Sequence, residues 1–333
     1  VSLMNFWGSL VPWGLCLVSG QDCRFGERPP VAKALMEELF LGDPMTTFEA
    51  EPLDAENWHG MTHISDLDVE LVLSAAPKPV TFWLELGSFE GGSAIRTMQT
   101  ILAQNLNVSV VAADTFLGDS RVLWEEPEHK RKLLRPDGTI SLYNRFRSNV
   151  HRHGLQACIL PLQATSVVTL KLMVSLAERK ISPLPQIIYL DSAHEEGEVL
   201  LELQLAWKAL VPGGILFGDD WVLEATENDV LKFATSVKDH LDDQWARNQH
   251  IRVLGRVRPG LFISYLSNQW FMKKLAEPSI ESSPKEIVNT AAYDCWSGRF
   301  AEELCCDVAR FGPEGNIFCW DLVFTFERCC VSR

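Results

Sequence analysis

Ile187-Ile188-Tyr189-Leu190-Asp191 and, further on, Gly213-Gly214-Ile215-Leu216-Phe217-Gly218-Asp219-Asp220 decide how this chain folds. Each is a short apolar run, as expected of a strand buried on both faces of a parallel sheet, and each stops in uncompensated carboxylates. Between them, Val199, Leu200, Leu203, Ala206, Trp207 and Leu210 recur at a helical period within Glu195 to Leu210. The segment is a strand–helix–strand unit. A right-handed crossover puts both acidic ends on the same carboxyl edge of one sheet, where open α/β proteins hold their ligands. Asp191, Asp219 and Asp220 are expected to meet there with His194, which follows Asp191 by three residues. Carboxylates gathered in this way repel one another unless a cation sits among them. Their hard oxygens suit Mg²⁺ or another divalent cation such as Ca²⁺ or Mn²⁺. A plain helix cap would also use an aspartate here, but it needs only one of the Asp219–Asp220 pair.

A second strand end lies upstream. Pro79 to Gly87 is an apolar run leading into Ser88-Phe89-Glu90-Gly91-Gly92-Ser93, then a helical stretch from Ala94 to Leu102. A glycine-rich turn between strand and helix lets a ligand approach the backbone and offers it helix N-terminal N–H groups. The spacing of Gly87, Gly91 and Gly92 does not give the G-x-G-x-x-G dinucleotide fingerprint. The next strand, Val108 to Asp114, again ends in an acid, placed to accept hydrogen bonds from ribose hydroxyls.

Trp83-Leu84-Glu85-Leu86-Gly87-Ser88-Phe89-Glu90-Gly91-Gly92-Ser93-Ala94-Ile95-Arg96 resembles the first motif of class I S-adenosylmethionine-dependent methyltransferases. Asp191-Ser192-Ala193-His194 and Gly213 to Asp220 resemble, in order and spacing, the metal and base motifs of its metal-dependent O-methyltransferases of the catechol and macrolide-sugar types. The resemblance spans Lys78 to Ser267. It implies a doubly wound, mostly parallel, seven-stranded Rossmann-like sheet ending in an antiparallel hairpin. It further implies that Glu85, Gly87, Phe89 and Ser93 line the methionine moiety of S-adenosylmethionine, that Asp114 holds the ribose, and that Ala164 to Ser166 flank the adenine. By the same likeness Asp191, Asp219 and Asp220 bind Mg²⁺ and His194 is the general base. The catechol enzymes carry lysine at the base position and asparagine where this chain has Asp220. Histidine, the second acid and the loop Asp114-Thr115-Phe116-Leu117-Gly118-Asp119 look more like the sugar-hydroxyl branch. Proteins named as cephalosporin hydroxylases share the scaffold, so an oxidoreductase is the competing enzyme class. A secreted binding protein with an inactive sheet domain is the competing non-enzyme.

The implied chemistry is methyl transfer to a hydroxyl of a small molecule or sugar. A hydroxyl is a poor nucleophile at neutral pH, and coordination to Mg²⁺ lowers its pKa. A histidine, with an ordinary pKa of about 6.5, can take the proton. Orientation alone can remove about 7–11 kcal/mol of barrier, so positioning outweighs base strength. Without the acids around it, His194 would read as a surface or capping histidine.

With 333 residues, 47 % of them hydrophobic, the chain can bury a full α/β core and a smaller unit besides. A net charge of −14 argues against binding a nucleic-acid backbone. The basic patch His129-Lys130-Arg131-Lys132 sits among acids and reads as a solvated helix or a lid over the site. Met4 to Gly20 is apolar, uncharged and too short for a stable membrane span. With Val18 and Gly20 as small-residue cleavage positions, residues 1–20 read as a secretory signal peptide, a buried N-terminal helix being the alternative.

The carboxyl end carries six of the nine cysteines, and they repeat. Cys295-Trp296, Phe300, Glu303 and Cys305-Cys306 recur 24 residues later as Cys319-Trp320, Phe324, Glu327 and Cys329-Cys330. The absence of C-x-x-C and of any histidine in this tail argues against zinc and for disulfides, whose pairing the sequence leaves open. Disulfides imply the secretory pathway or the extracellular space rather than the cytoplasm. The tail resembles a cysteine–tryptophan repeat appended to assorted algal proteins; whether it binds glycan or protein is open. Asn107-Val108-Ser109 has the form of a glycosylation acceptor. The resulting order is a leader (1–20), a cap segment (21–77), the sheet domain (78–267), a linker (268–290) and the Cys-rich repeat (291–333).

Overall fold

The computed structural model describes residues 26–51, 62–118, 120–248 and 254–276, with Cys23, Cys305, Cys306, Val308 and Cys330. The leader, Asp119, most of the linker and most of the Cys-rich repeat lie outside the described residues. The chain divides into two units, Val1–Pro278 and Ser279–Arg333.

Eight strands form the sheet of the first unit: β1 (Phe82–Leu86), β2 (Ser109–Asp114), β3 (Ile159–Gln163), β4 (Ile187–Leu190), β5 (Ile215–Gly218), β6 (Leu254–Arg258), β7 (Leu261–Ser264) and β8 (Trp270–Lys273). Their order is β3-β2-β1-β4-β5-β8-β7-β6. The first five run parallel and the last three antiparallel. The chain winds outward from β1 to β3, then returns to β4 on the other side, so β1 and β4 flank a topological switch point.

The strands are short because buried parallel strands need no polar face. β4 and β5 are buried at every position. In β1, Phe82, Leu84 and Leu86 join one hydrophobic layer and Trp83 the other, the two-residue alternation of a pleated strand. The first layer packs against α1 (Pro30–Leu39), α6 (Ser166–Glu178), α7 (Glu198–Ala209) and α8 (Glu224–Ser236). The second packs against α2 (Asp66–Ala75), α3 (Gly92–Ala103) and α5 (Leu142–Arg152). The short α4 (Pro127–Leu133) carries the basic patch. Among the described residues no helix is long and apolar enough to cross a membrane.

The α/β class, the parallel core and the antiparallel hairpin match expectation; the strand count does not. The sheet has eight strands rather than seven, because Trp270–Lys273 inserts antiparallel between β5 and β7. The strand lies within the stretch 268–290, which the sequence reading takes as linker. In the fold Phe271 stacks on Phe217 of β5, ring centroids 5.4 Å apart, which is what buries the added strand.

Cys23 and Cys158 form a disulfide with a sequence separation of 135, tying the segment before α1 to the start of β3. Closing so long a loop removes chain entropy from the unfolded state. A Cys23→Ala/Cys158→Ala variant is therefore expected to lose about 2–5 kcal/mol of stability, read by denaturant unfolding. Unchanged unfolding would mean that packing alone holds the segment. In the second unit Cys306 pairs with Cys330, 24 residues on.

Candidate active site

Three strand ends meet at the switch point. Gly87 follows β1 with φ +85°, and a Cβ there would lie 1.8 Å from the carbonyl oxygen of Asp191. Only glycine lets β1 and β4 close at this level. The N–H of Asp191 donates to the Leu86 carbonyl at 2.8 Å, and that of Gly87 to the Ala113 carbonyl at 2.9 Å. Asp114, at the end of β2, accepts from the N–H groups of Ser88 and Phe89 at 2.9 Å each and from Phe116 at 2.6 Å. Phe89 and Phe116 are both left-handed, with φ 43° and 54°. Such strained non-glycine positions persist where the surroundings fix them, here at the two loops that share one carboxylate. The Thr115 hydroxyl donates to the same carboxylate at 3.5 Å, the longest of its four contacts.

Glu85 is fully buried in β1; the Ser93 hydroxyl donates to its Oε1 at 2.8 Å. Its Oε2 is buried and meets no donor in hydrogen-bond geometry. Burial pushes Glu85 up to about 8, with the hydroxyls of Ser93 and Ser88 pulling the other way. Glu90, in the same turn, is buried between Arg145 Nε at 2.8 Å and Lys132 Nζ at 3.1 Å. Lys132 of the basic patch thus anchors α4 to the turn. On the other flank, Ala164 donates its N–H to the Asp114 carbonyl at 3.0 Å. The Ser166 hydroxyl donates to Glu202, a buried carboxylate that also accepts from Ser192 at 2.8 Å. Glu202 therefore links the expected adenine flank to the loop after β4.

The expected acids converge. His194 Nε2 lies 2.7 Å from Asp220 Oδ2 and 3.9 Å from Asp191 Oδ1. Asp220 is left-handed at φ 60°, which turns the second acid of the pair back toward the histidine. Asp219 is 4 % exposed; its backbone carbonyl accepts from Trp270 Nε1 at 3.0 Å, so β8 fixes it in place. His194 sits in the loop, ahead of α7, which begins at Glu198, rather than opening that helix. Tyr189, fully buried in β4, donates its hydroxyl to Asp191 Oδ2 at 3.4 Å.

One member of the cluster carries no signal in the sequence. His63 places Nδ1 2.9 Å from Asp219 Oδ2. It belongs to the cap segment, two residues before Ser65, whose capping box with Asp68 opens α2. That box is the local device that sets His63. His63, Asp219 and Asp220 form one set of ligand atoms within 4.8 Å of one another, and Asp191, His194 and Asp220 form a second.

Burial raises Asp191 to about 7, with His194 pulling it down and Asp219 and Asp220 pushing it up. Asp219 is raised chiefly by burial. Burial lowers His194, but the hydrogen bonds and charges of Asp191 and Asp220 outweigh it and carry the imidazole to about 10. His63 is raised too, Asp219 outweighing its burial. His194 thus carries positive charge beside Asp191 and Asp220. Each of the two sets offers two carboxylates and one imidazole, a donor set that suits a divalent cation; Asp220 belongs to both, while Asp191 and Asp219 share neither. One feature of the turn suits a polar, nucleoside-bearing cofactor: Glu85 Oε2 is buried and meets no donor in hydrogen-bond geometry. The glycines serve the fold instead, Gly87 against the Asp191 backbone and Gly91 against the Phe146 ring.

Comparison with solved structures returns a TDP-rhamnose 3'-O-methyltransferase of calicheamicin biosynthesis in its apo form, at 14 % identity, 62 % of this chain, 78 % of that one and a TM-score of 0.37. It also returns the O-methyltransferase NovP, at 13 % identity, 63 % of this chain, 77 % of that one and a TM-score of 0.39. A third is a methyltransferase of Streptococcus mutans in complex with SAH, at 11 % identity, 63 % of this chain, 97 % of that one and a TM-score of 0.35. No curated protein matches the chain. Residues 84–221, from β1 through the acidic pair after β5, match the family model of a methyltransferase domain.

Proposed function

We propose that this chain transfers a methyl group from S-adenosylmethionine to a hydroxyl of a small molecule or sugar, with Asp191, Asp219 and Asp220 holding a divalent cation, Mg²⁺ by preference. The observation that carries this reading is the meeting of three carboxylates and two imidazoles at the switch point, against the glycine-rich turn of the methyltransferase-like segment. Glu85, Gly87, Phe89 and Ser93 would line the methionine end of the cofactor, Asp114 would meet the ribose, and Ala164 and Ser166 would flank the adenine. The cofactor supplies an electrophilic methyl, and the cation supplies charge that lowers the pKa of an acceptor hydroxyl.

The chain's own part is to place and to deprotonate. His194 is the base: held by Asp220 at 2.7 Å, it presents its ring where the acids converge. Beside the bare carboxylates it holds a proton; with a divalent cation balancing their charge, its imidazole would be neutral and able to accept one. Trp270 and Tyr189 restrain the acids from below, and Asp220 spends backbone strain to aim at the histidine. The test is transfer of labelled methyl from S-adenosylmethionine to pooled acceptors, with and without chelator. Transfer abolished by chelator and restored by Mg²⁺ is expected; labelled cofactor that binds but is never turned over would point to the inactive alternative.

His63 orients Asp219 from the cap segment. Groups that steer ligand side chains in this way are worth about 10- to 100-fold in metal affinity or activity. A His63→Ala variant is expected to bind Mg²⁺ about 10-fold more weakly by calorimetry. Affinity unchanged within about twofold would remove His63 from the site.

A further inference from the structure

We infer that Asn107 carries an N-linked glycan, and that the chain matures in an oxidising secretory compartment. Two independent observations meet at one edge of the sheet. First, Asn107 is exposed in the loop ahead of β2, in the triplet Asn107-Val108-Ser109, while Val108 is 1 % and Ser109 0 % exposed. Second, Cys158 directly precedes β3, at the same amino edge, and is bridged to Cys23. A bridge of this kind forms where thiols are oxidised, which is also where N-glycans are added. The second unit has the same chemistry, with Cys306 joined to Cys330 and Cys305 also disulfide-bonded.

The side chain stands over space. Asn107 lines a hollow of about 620 Å³ with Pro30, Val31, Pro79, Val80 and Leu106, a largely apolar floor that the less polar face of a sugar ring can cover. The Asp191–Asp219–Asp220 cluster lies at the opposite, carboxyl edge. The six residues of β2 separate the two edges by about 20 Å at a rise of about 3.3 Å per residue. A glycan here leaves the candidate active site open.

The step needs a lipid-linked oligosaccharide diphosphate and the transferase that uses it. The amide nitrogen of Asn107 forms the N–C1 bond to the first sugar. The C1–O bond to the diphosphate breaks, and the amide proton leaves with the lipid diphosphate. Ser109 supplies the hydroxyl by which the acceptor triplet is recognised. In the folded protein that hydroxyl is buried and accepts from the N–H of Ala32 at 2.9 Å. Transfer must therefore precede the docking of α1 on β2.

The test is mass spectrometry of the full chain isolated from the cells that make it, before and after a peptide-N-glycosidase that converts a glycosylated asparagine to aspartate. Conversion at Asn107, with Cys23 and Cys158 recovered as one non-reduced cross-linked pair, is expected. In a secreting eukaryotic host, Asn107→Gln is expected to abolish the glycosidase-sensitive mobility shift, and Ser109→Thr, which keeps a hydroxyl, to retain it. Unmodified Asn107 in otherwise disulfide-bonded secreted protein, or free thiols at Cys23 and Cys158 in protein from its own cells, overturns the inference. Methyl transfer by the Asn107→Gln protein is expected to be unchanged, so the outcome here is independent of the proposed reaction.

Discussion

In an Asp219→Asn variant, methyl transfer is expected to fall by about 10²- to 10³-fold, the usual cost of removing one preorganised electrostatic group. Mg²⁺ affinity should fall with it, and binding of S-adenosylmethionine should stay within about threefold. The argument rests on what the amide keeps. Asp219 Oδ1 accepts the N–H of Asp220 at 2.7 Å, which an asparagine oxygen reproduces, and the Trp270 bond goes to the backbone. The loop geometry at Asp220 survives; the charge is lost, and with it the bond from His63 Nδ1, 2.9 Å from Oδ2, which an amide nitrogen cannot accept. For the charge itself, the sign of the stability change follows from the raised pKa. Burial raises Asp219 in the folded state, so its ionisation opposes folding at any pH above its unfolded value. Taking the charge away at neutral pH relieves that opposition. Parallel measurements of labelled methyl transfer, Mg²⁺ calorimetry and denaturant unfolding separate the outcomes. Full activity in this variant would show that Asp219 holds no catalytic cation.

Gly87→Ala is expected to be the most damaging small substitution in the protein. The new methyl would lie 1.8 Å from the Asp191 carbonyl oxygen and 2.7 Å from the Ser192 Cα, both backbone atoms of the loop that follows β4. Neither can move without parting β1 from β4, because the Asp191 N–H is bonded to Leu86. Overpacking costs about 1–3 kcal/mol even when side chains can give way. The left-handed backbone adds about 1–2 kcal/mol. A loss of about 3 kcal/mol or more, with loss of cofactor binding, is expected in thermal and denaturant unfolding. The protein contains its own control. Gly138 has nearly the same backbone, φ +84° against +85°, but nothing within 4 Å of a Cβ. Gly138→Ala should therefore cost only the backbone part. Equal losses at the two positions would mean that the close approach of β1 to β4 does not matter.

The parts of this fold legible in the sequence are those set by local pattern. Ile187–Leu190 and Ile215–Gly218 announce themselves as buried strands, because runs that short and that apolar have few other uses. From their acidic ends, chain handedness places Asp191, Asp219 and Asp220 on one edge, and in the structure His194 lies 2.7 Å from Asp220 and 3.9 Å from Asp191, while Asp219 meets Asp220 in a separate set with His63. What was not legible depends on partners distant in sequence. β8 exists because Phe217 offers a face for Phe271 to stack on. His63 looks like any loop histidine until α2 is docked, 156 residues away from the aspartate it meets. Asp114 was read for its use to a ligand, and the structure shows its prior use to the protein, where it holds two loops by three backbone N–H groups. Period and composition report burial; they say nothing of which long-range neighbour a polar side chain will find.

The capping box ahead of α2 also bears on where this protein can be cut. The stretch that matches a methyltransferase domain starts at residue 84 and stops at residue 221. A fragment trimmed to those limits would discard the imidazole beside Asp219, one wall of the second hydrophobic layer, and the indole that clamps the acidic pair from β8. The recognisable segment is a chassis, and the pieces that tune its reactive end are contributed by sequence on either side of it.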